Sequence, residues 1–303
     1  ARAAALLLLV APFFIFMGGS EQNHVPALAF ATLALAAPPS WWQASSRSAA
    51  YRQAAIIGAA IGAMAIVRPL DALAAAAAIG LFQLSTVIAT PRRWTELVVQ
   101  CLAGAIPFAL LVWANTRTTG APLRFGYEVM WASAHGLGFH RDPSGEMHAP
   151  LTDLALINLY FVRLQSHMFE SPLPSLLPLL AALALVPRFD TLDRYWLSAA
   201  ALLIAAYFAY WFSGDYLGPR FLYPLAPVIA LWTARLPLIV RDRWGPGTLF
   251  RGTIAAYAVS AAGALALGIP SRAQEYERIG PLERWDVDEA AEHAGARDAL
   301  EIG

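Results

Sequence analysis

Apolar residues run along this chain in nine stretches separated by short polar breaks: 1–17, 25–38, 53–67, 72–89, 95–114, 171–187, 195–212, 221–236 and 248–268. A helix that crosses a bilayer needs about 20 mostly apolar residues, within a range of about 17–25. The pattern predicts an all-α, polytopic membrane helix bundle of about nine spans. The shorter stretches fit as tilted or locally thinned crossings. Nine such runs do not suit the alternative, buried helices in one soluble core. The bundle occupies residues 1–268, and residues 269–303 read as a polar extension carrying 13 charges.

Two stretches need their own reading. Arg2 followed by Ala3–Met17 has the look of a signal peptide, but no small-x-small cleavage site precedes Gly18-Gly19-Ser20. We read it as most of a membrane helix cut at its N-terminus, in a chain taken from a longer protein. The apolar stretch 53–89 is too long for one span. It divides at Arg68-Pro69-Leu70-Asp71, where Pro69 fits the first turn of a new helix and Asp71 suits its positive dipole end.

Composition supports the membrane reading. Of 303 residues 58% are apolar and 14% charged, with a mean hydropathy of +0.51. A soluble domain averages about 45–50% apolar and about 25% charged. These figures argue against a soluble enzyme, a nucleic-acid binder and a disordered chain. The formal charge is zero and lysine is absent, so arginine must serve every anion site and every topology signal. The one cysteine, Cys101, cannot form an internal disulfide.

Arginine divides the connecting segments into two sets. One holds 11 arginines (Arg2, Arg47, Arg52, Arg92, Arg93, Arg188, Arg194, Arg235, Arg241, Arg243 and Arg251) against Glu96, Asp190, Asp193 and Asp242. The other holds Arg68, Arg117, Arg124, Arg141, Arg163 and Arg220 against eight acids. Excess arginine in short loops marks the cytoplasmic side. The second set, including the long segment 115–170 and the C-terminal tail, is thus expected on the outer face of a bacterial inner membrane. The unusual polar segments belong to that set, so function is expected there. No internal repeat is evident, which weakens an inverted-repeat transporter reading.

Four outer segments carry candidate chemistry. In Gly218-Pro219-Arg220-Phe221-Leu222-Tyr223-Pro224, Arg220 precedes an apolar helix. A helix N-terminus and a planar guanidinium fork together suit a lipid phosphate. The plainer alternative is an interfacial arginine that snorkels or pairs with Asp215. Tyr216 and Tyr223 suit a polar headgroup or simple interfacial anchoring. Arg68 either faces an anionic substrate with Asp71 holding it, or staples a helix hairpin through that same pair. In the first outer turn, Glu21, Asn23 and His24 offer a hydrogen bond to phosphate or sugar, or merely a solvated helix cap. The long loop carries His135, His140, Asp142, Glu146 and His148, whose spacing matches no standard zinc pattern, so no metal is assigned. A long loop of this kind suits a lid, with Trp131, Phe139 and Arg141 packing over a sugar or lipid headgroup. Residues 151–167 are expected to form an interfacial helix. No nucleotide cradle, nucleophile elbow or His-Glu-x-x-His is present, and no cofactor is implied.

The stretches Gly19–His24, Val67-Arg68-Pro69-Leu70-Asp71-Ala72-Leu73, His135–His140 with Asp142-Pro143, and Tyr216–Pro224 occur in an order that resembles the C-terminal part of bacterial GT-C integral-membrane glycosyltransferases. These are relatives of the dolichyl-phosphate-mannose–protein mannosyltransferases and the lipid A aminoarabinose transferases. The resemblance covers roughly residues 1–236. It implies a polyprenyl-phosphate sugar donor, a lipid, polysaccharide or protein acceptor at the outer face, no nucleic acid, and inverting transfer. It places the general base in a loop upstream of residue 1, so Glu21 and Asp71 do not inherit that role. Arg220, Arg68 and His24 are then expected to hold the donor's phosphate. Glu21, Asn23, Asp71, His135, His140, Asp142, Asp215, Tyr216 and Tyr223 are expected around the substrate. A flippase or transporter of a lipid-linked substrate, and a non-catalytic membrane fragment, stay open as alternatives.

Overall fold

A computed structural model describes residues 2–20, 22–131, 137–139, 141, 147–171, 173–210 and 217–277. The described residues are helical apart from turns, short irregular segments and isolated bridges. Five helical stretches are long and apolar enough to cross a bilayer: Arg47–Val67, Pro69–Ala89, Pro91–Thr119, Arg220–Trp244 and Thr248–Tyr276.

Proline decides several boundaries. The first apolar stretch is not one helix but two, α1 (Arg2–Leu9) and α2 (Pro12–Gly18). Pro12 lacks the N–H that would continue the ladder and sits instead at the start of α2. After α3 (His24–Trp42), the helix α4 (Arg47–Val67) is capped by Ser46, whose Oγ accepts from the Ala49 N–H at 3.2 Å. It ends where Pro69 drives the preceding Arg68 into an extended conformation, φ −148° and ψ 89°. Pro69 then opens α5 (Pro69–Ala89), with Asp71 in its first turn as expected.

A 3-10 turn at Pro91–Arg93 leads into α6 (Trp94–Thr119), which Gly120 closes in the left-handed region at φ 78°. Next come α7 (Gly126–Trp131) and α8 (Pro150–His167). The helix expected at 151–167 is thus present, and it buries Asp153, Ile157, Tyr160, Leu164 and His167 along one side. Of the stretch 171–187 only α9 (Leu177–Leu185) is helical. α10 (Thr191–Phe208) starts on a reciprocal Asp190–Asp193 capping box. A 3-10 turn at Arg220–Leu225 enters α11 (Ala226–Trp244). The last apolar stretch runs on through α12 (Thr248–Gly263), a π turn at Ala264–Gly268 and α13 (Ile269–Glu277), so helix continues past residue 268 into the expected extension.

α4 and α6 pack with their backbones in near contact. A Cβ placed on Gly58 would lie 1.9 Å from the Gln100 carbonyl oxygen, and one on Gly62 would lie 2.6 Å from that of Gly104. Small residues permit this approach where lipid gives helices no hydrophobic drive to associate.

The bundle has two distinct ends. At one, Trp41, Ile57, Ile79, Phe82 and Tyr195 form a buried cluster. Arg93 seals it, donating from Nη2 to the Trp41 carbonyl at 2.7 Å and from Nε to Glu96 at 2.9 Å. The Asp193–Arg235 pair ties α10 to α11 near this end. At the other end Phe13, Met17, Tyr160, Leu164, Tyr207 and Phe221 form a second cluster, and a polar cavity lies against it.

Candidate functional site

The cavity, about 360 Å³, is lined from five parts of the chain: Gln22–His24, Val67–Leu70, Tyr127, Tyr207 with Tyr210, and Arg220 with Phe221. A ligand pocket for a small molecule has about 300–1,000 Å³. Each lining segment lies at a helix end, because each connects two elements at the same end of the bundle.

Arg68 is the most constrained group. It sits in the single extended residue between α4 and α5, so its side chain leaves the helices sideways. Nε donates to Asp71 Oδ2 at 2.7 Å. Nη1 donates to His24 Nε2 at 2.9 Å and to Asn23 Oδ1 at 3.3 Å. Nη2 donates to the Tyr207 hydroxyl at 2.5 Å, and that hydroxyl donates onward to Asp71 Oδ1. Four of the five guanidinium N–H groups are thereby used. Since Arg68 can only donate, His24 Nε2 must accept, and the ring is the neutral tautomer with its proton on Nδ1. Asp71, Tyr207 and His24 are all buried. Asp71 thus serves as the buried counter-ion of Arg68.

Arg220 arrives from another direction. Leu217 and Gly218 both have positive φ, 54° and 100°. This turn returns the chain so that the Arg220 N–H donates to the Gly218 carbonyl at 2.8 Å. A Cβ at Gly218 would come within 3.0 Å of the Phe13 ring and 3.3 Å of His167, so glycine is needed there for space as well as for φ. Phe221 supplies the platform between the two arginines. Its ring stacks on Tyr207 at 4.8 Å and 13°, and lies within 6.1 Å of the His24 ring. The Arg68 and Arg220 guanidinium carbons lie 5.3 and 5.4 Å from its centroid. Such contacts orient guanidinium groups over an aromatic face. Across the cavity, burial pushes the Tyr127 hydroxyl up to about 12, helped by Tyr210 and Glu128, so it stays a neutral donor.

Of the residues singled out in the sequence, Asn23, His24, Arg68 and Arg220 line this cavity, and Asp71 lies directly behind Arg68. Tyr223 is placed elsewhere. It is buried against Phe13 and Phe14, and its hydroxyl donates to the Phe14 carbonyl at 3.3 Å. That contact anchors α2 to the 3-10 turn. Glu21, His135, His140, Asp142, Asp215 and Tyr216 lie outside the described residues. So does the side chain of Trp131.

The long loop is tethered next to the site. Gly138 N–H donates to the Ala209 carbonyl at 2.8 Å, beside Tyr207 and Tyr210. His148 is fully buried; Nδ1 donates to the Gly138 carbonyl at 2.7 Å and Nε2 lies 2.5 Å from Asp153. Phe139 packs on His148 and Phe208. Arg141 lies in an isolated bridge with Met147.

Tyr207, Tyr210, Tyr127 and Phe221 were not singled out for the site. Two of these tyrosines close the apolar stretch 195–212, where tyrosine reads as an ordinary interfacial anchor. The arrangement as a whole offers two guanidinium groups, one held rigidly, with neutral donors around them at the end of an apolar bundle. It suits an anion carried on a lipid. Comparison of the chain with known protein families, with curated proteins and with solved structures gives no match.

Proposed function

We propose that the protein is a membrane glycosyltransferase that moves a sugar from a polyprenyl-phosphate donor to an acceptor at the outer face of a bacterial inner membrane. One observation carries this reading: Arg68, Arg220 and His24, from segments far apart in sequence, meet in one cavity at one end of an apolar helix bundle. In this reading the five long helices, together with α1–α2, α3, α9 and α10, supply about nine crossings. The cavity end faces outward with the long loop, and the Arg93 end faces the cytoplasm.

The chemistry asks little of these residues beyond charge and position. The acceptor oxygen attacks the anomeric carbon and the bond from that carbon to the phosphate oxygen breaks. Its electron pair stays on the leaving lipid phosphate. Preorganised donors aimed at that developing charge lower the barrier. Arg220 supplies a second guanidinium charge at the same cavity, and Arg68 offers a fixed positive charge and one remaining N–H. No residue of this chain is assigned as the base that deprotonates the acceptor.

The test is a donor screen with the intact protein in detergent, using a panel of polyprenyl-phosphate sugars and reading the product by mass spectrometry. Transfer from a lipid-phosphate donor without any nucleotide sugar is the expected result. Translocation of the lipid-linked sugar in proteoliposomes without transfer would replace this function with a flippase.

A further inference from the structure

A second space, of about 70 Å³, lies between α1, the start of α9, α11 and α12. Leu7, Phe169 and Pro178 give it apolar walls, and among the described residues that line it none is charged. α12 and the π turn after it present small side chains to it one turn apart, Ala256, Ser260 and Ala264. Tyr257 holds α12 on α11 by donating its hydroxyl to the Thr233 carbonyl at 2.7 Å. Next to Phe169, Glu170 keeps a left-handed backbone at φ 47°, and Arg272 donates to its carboxylate from Nε at 2.8 Å. A Cβ on Gly268 would lie 2.8 Å from that of Glu170, so the π turn and this segment meet closely there. A non-glycine residue keeps such a conformation only where its surroundings hold it.

Thr233 on α11 also lines the space. It is 2% exposed, and its hydroxyl has no hydrogen-bond partner among the described residues. A threonine within a helix commonly satisfies its hydroxyl on the carbonyl four residues back. Thr116, Thr118, Thr119 and Thr253 do so, at 2.7–2.9 Å. Thr233 does not, and a buried hydroxyl without a partner is costly. A water needs about 2–4 polar partners, whereas walls this apolar suit a ligand that brings one polar atom on an apolar body. We infer that the space is a second ligand site, for an uncharged, lipid-soluble molecule with one hydrogen-bonding oxygen on an apolar body the size of a single ring. Entry is from the bilayer: Leu173 at the rim is exposed, and α11 and α12 belong to stretches long and apolar enough to cross a membrane. The inference stands apart from the glycosyltransferase reading, since the two spaces share no lining residue. A plain acyl chain would fill the space but leave the Thr233 hydroxyl unpaired.

The experiment titrates the intact protein in detergent with 4-fluorophenol and 4-fluorotoluene, a pair of similar shape with and without a hydroxyl, and reads binding by fluorine NMR. The wild type should prefer the phenol about three- to tenfold, the contribution of one neutral hydrogen bond. Thr233→Val should abolish that preference and keep 4-fluorotoluene binding, which also shows that the variant is folded. Comparison with this variant in the same micelles cancels partition into detergent. Ala261→Phe fills the space and should weaken both probes at least about tenfold. Equal affinity of the two probes in the wild type overturns the inference and leaves an apolar pocket for acyl chains. Persistence of the full preference in Thr233→Val overturns it as well. So does undiminished binding of both probes by Ala261→Phe, because they then sit elsewhere.

Discussion

Arg68 and Arg220 stand 152 positions apart in the chain, yet their guanidinium carbons lie at most about 11 Å from each other, because both rest against Phe221. Their roles differ. Arg68 is neutralised by Asp71 and fixed by four donated bonds, whereas Arg220 reaches the same space from a tight turn. Two cations this near an apolar interior are costly, which is a reason to expect function from them.

Arg220→Ala should reduce sugar transfer by a factor on the order of 100 or more, the range for losing a preorganised donor to a developing charge. Membrane insertion and yield should be unchanged. Arg68→Lys should also lose activity, at least about tenfold, since one ammonium, with three donors on a single nitrogen, cannot reach the four partners that Arg68 serves from three separate nitrogens. Wild-type turnover in Arg68→Lys would reduce Arg68 to a staple between α4 and α5.

Tyr207→Phe isolates the bridge between the two charged partners. The ring keeps its stack on Phe221, but the hydroxyl that accepts from Arg68 and donates to Asp71 is gone. An oxygen of buried Asp71 loses its donor, at a cost of about 1–3 kcal/mol. The expected outcome is a lower unfolding temperature in detergent together with a weaker apparent affinity for the donor. A double-mutant cycle with Arg68→Lys should be clearly non-additive, since the two residues share one network.

The break at Pro69 and the Arg68–Asp71 pair could be read because proline and an N-terminal acid act over one helical turn. The polar character of the four segments with candidate chemistry could be read because their residue types are a property of the chain. The platform could not. Phe221 is one apolar residue among many, and only the turn at Leu217–Gly218 sets it against Tyr207. The split of the first apolar stretch at Pro12 was available in the sequence but was masked by the length of the run. The glycines at 58, 62 and 104 gave no signal, because close approach belongs to two helices and not to either alone.

Gly58 offers a direct test of that packing. Gly58→Ala would push a methyl group into the Gln100 carbonyl, a backbone atom that cannot swing away. Overpacking costs typically about 1–3 kcal/mol, and backbone contact places this case at the upper end. The thermal unfolding midpoint should fall clearly. Gly80→Ala is the control, since a Cβ there meets nothing within 4 Å. It should leave the midpoint unchanged or raise it slightly by lowering the entropy of the unfolded chain.

His148 and Asp153 join the long loop to α8 in a buried pair, and His148 joins that pair to Gly138. His148→Ala leaves the buried Asp153 carboxyl group and the Gly138 carbonyl without their shared partner, at about 1–3 kcal/mol each when no water replaces it. Because Gly138 is also bound to Ala209, beside the cavity tyrosines, the loss should spread to the site. Limited proteolysis within 137–149 should accelerate in His148→Ala, and hydrogen exchange at Gly138 should rise. His148→Gln, which retains a donor of similar reach, should recover part of the protection.

The orientation proposed from the arginine distribution is open to a labelling experiment. The Ser45 and Gly247 loops lie with Arg47, Arg52, Arg241 and Arg243 at the end sealed by Arg93, whereas Leu123 follows α6 at the cavity end. All three positions are exposed and uncharged, so a cysteine there leaves the balance that sets topology intact. In a Cys101→Ser background, Ser45→Cys and Gly247→Cys should react with a membrane-impermeant maleimide only after the membrane is opened from the cytoplasmic side. Leu123→Cys should react in intact cells stripped of their outer envelope. The physical reason is that a helix of crossing length changes side once, so loops joined by an even number of crossings must share a side. Leu123 and Ser45 labelling together from one side would place the Arg93 cluster and the cavity in the same compartment, and the outward-facing site would have to be given up.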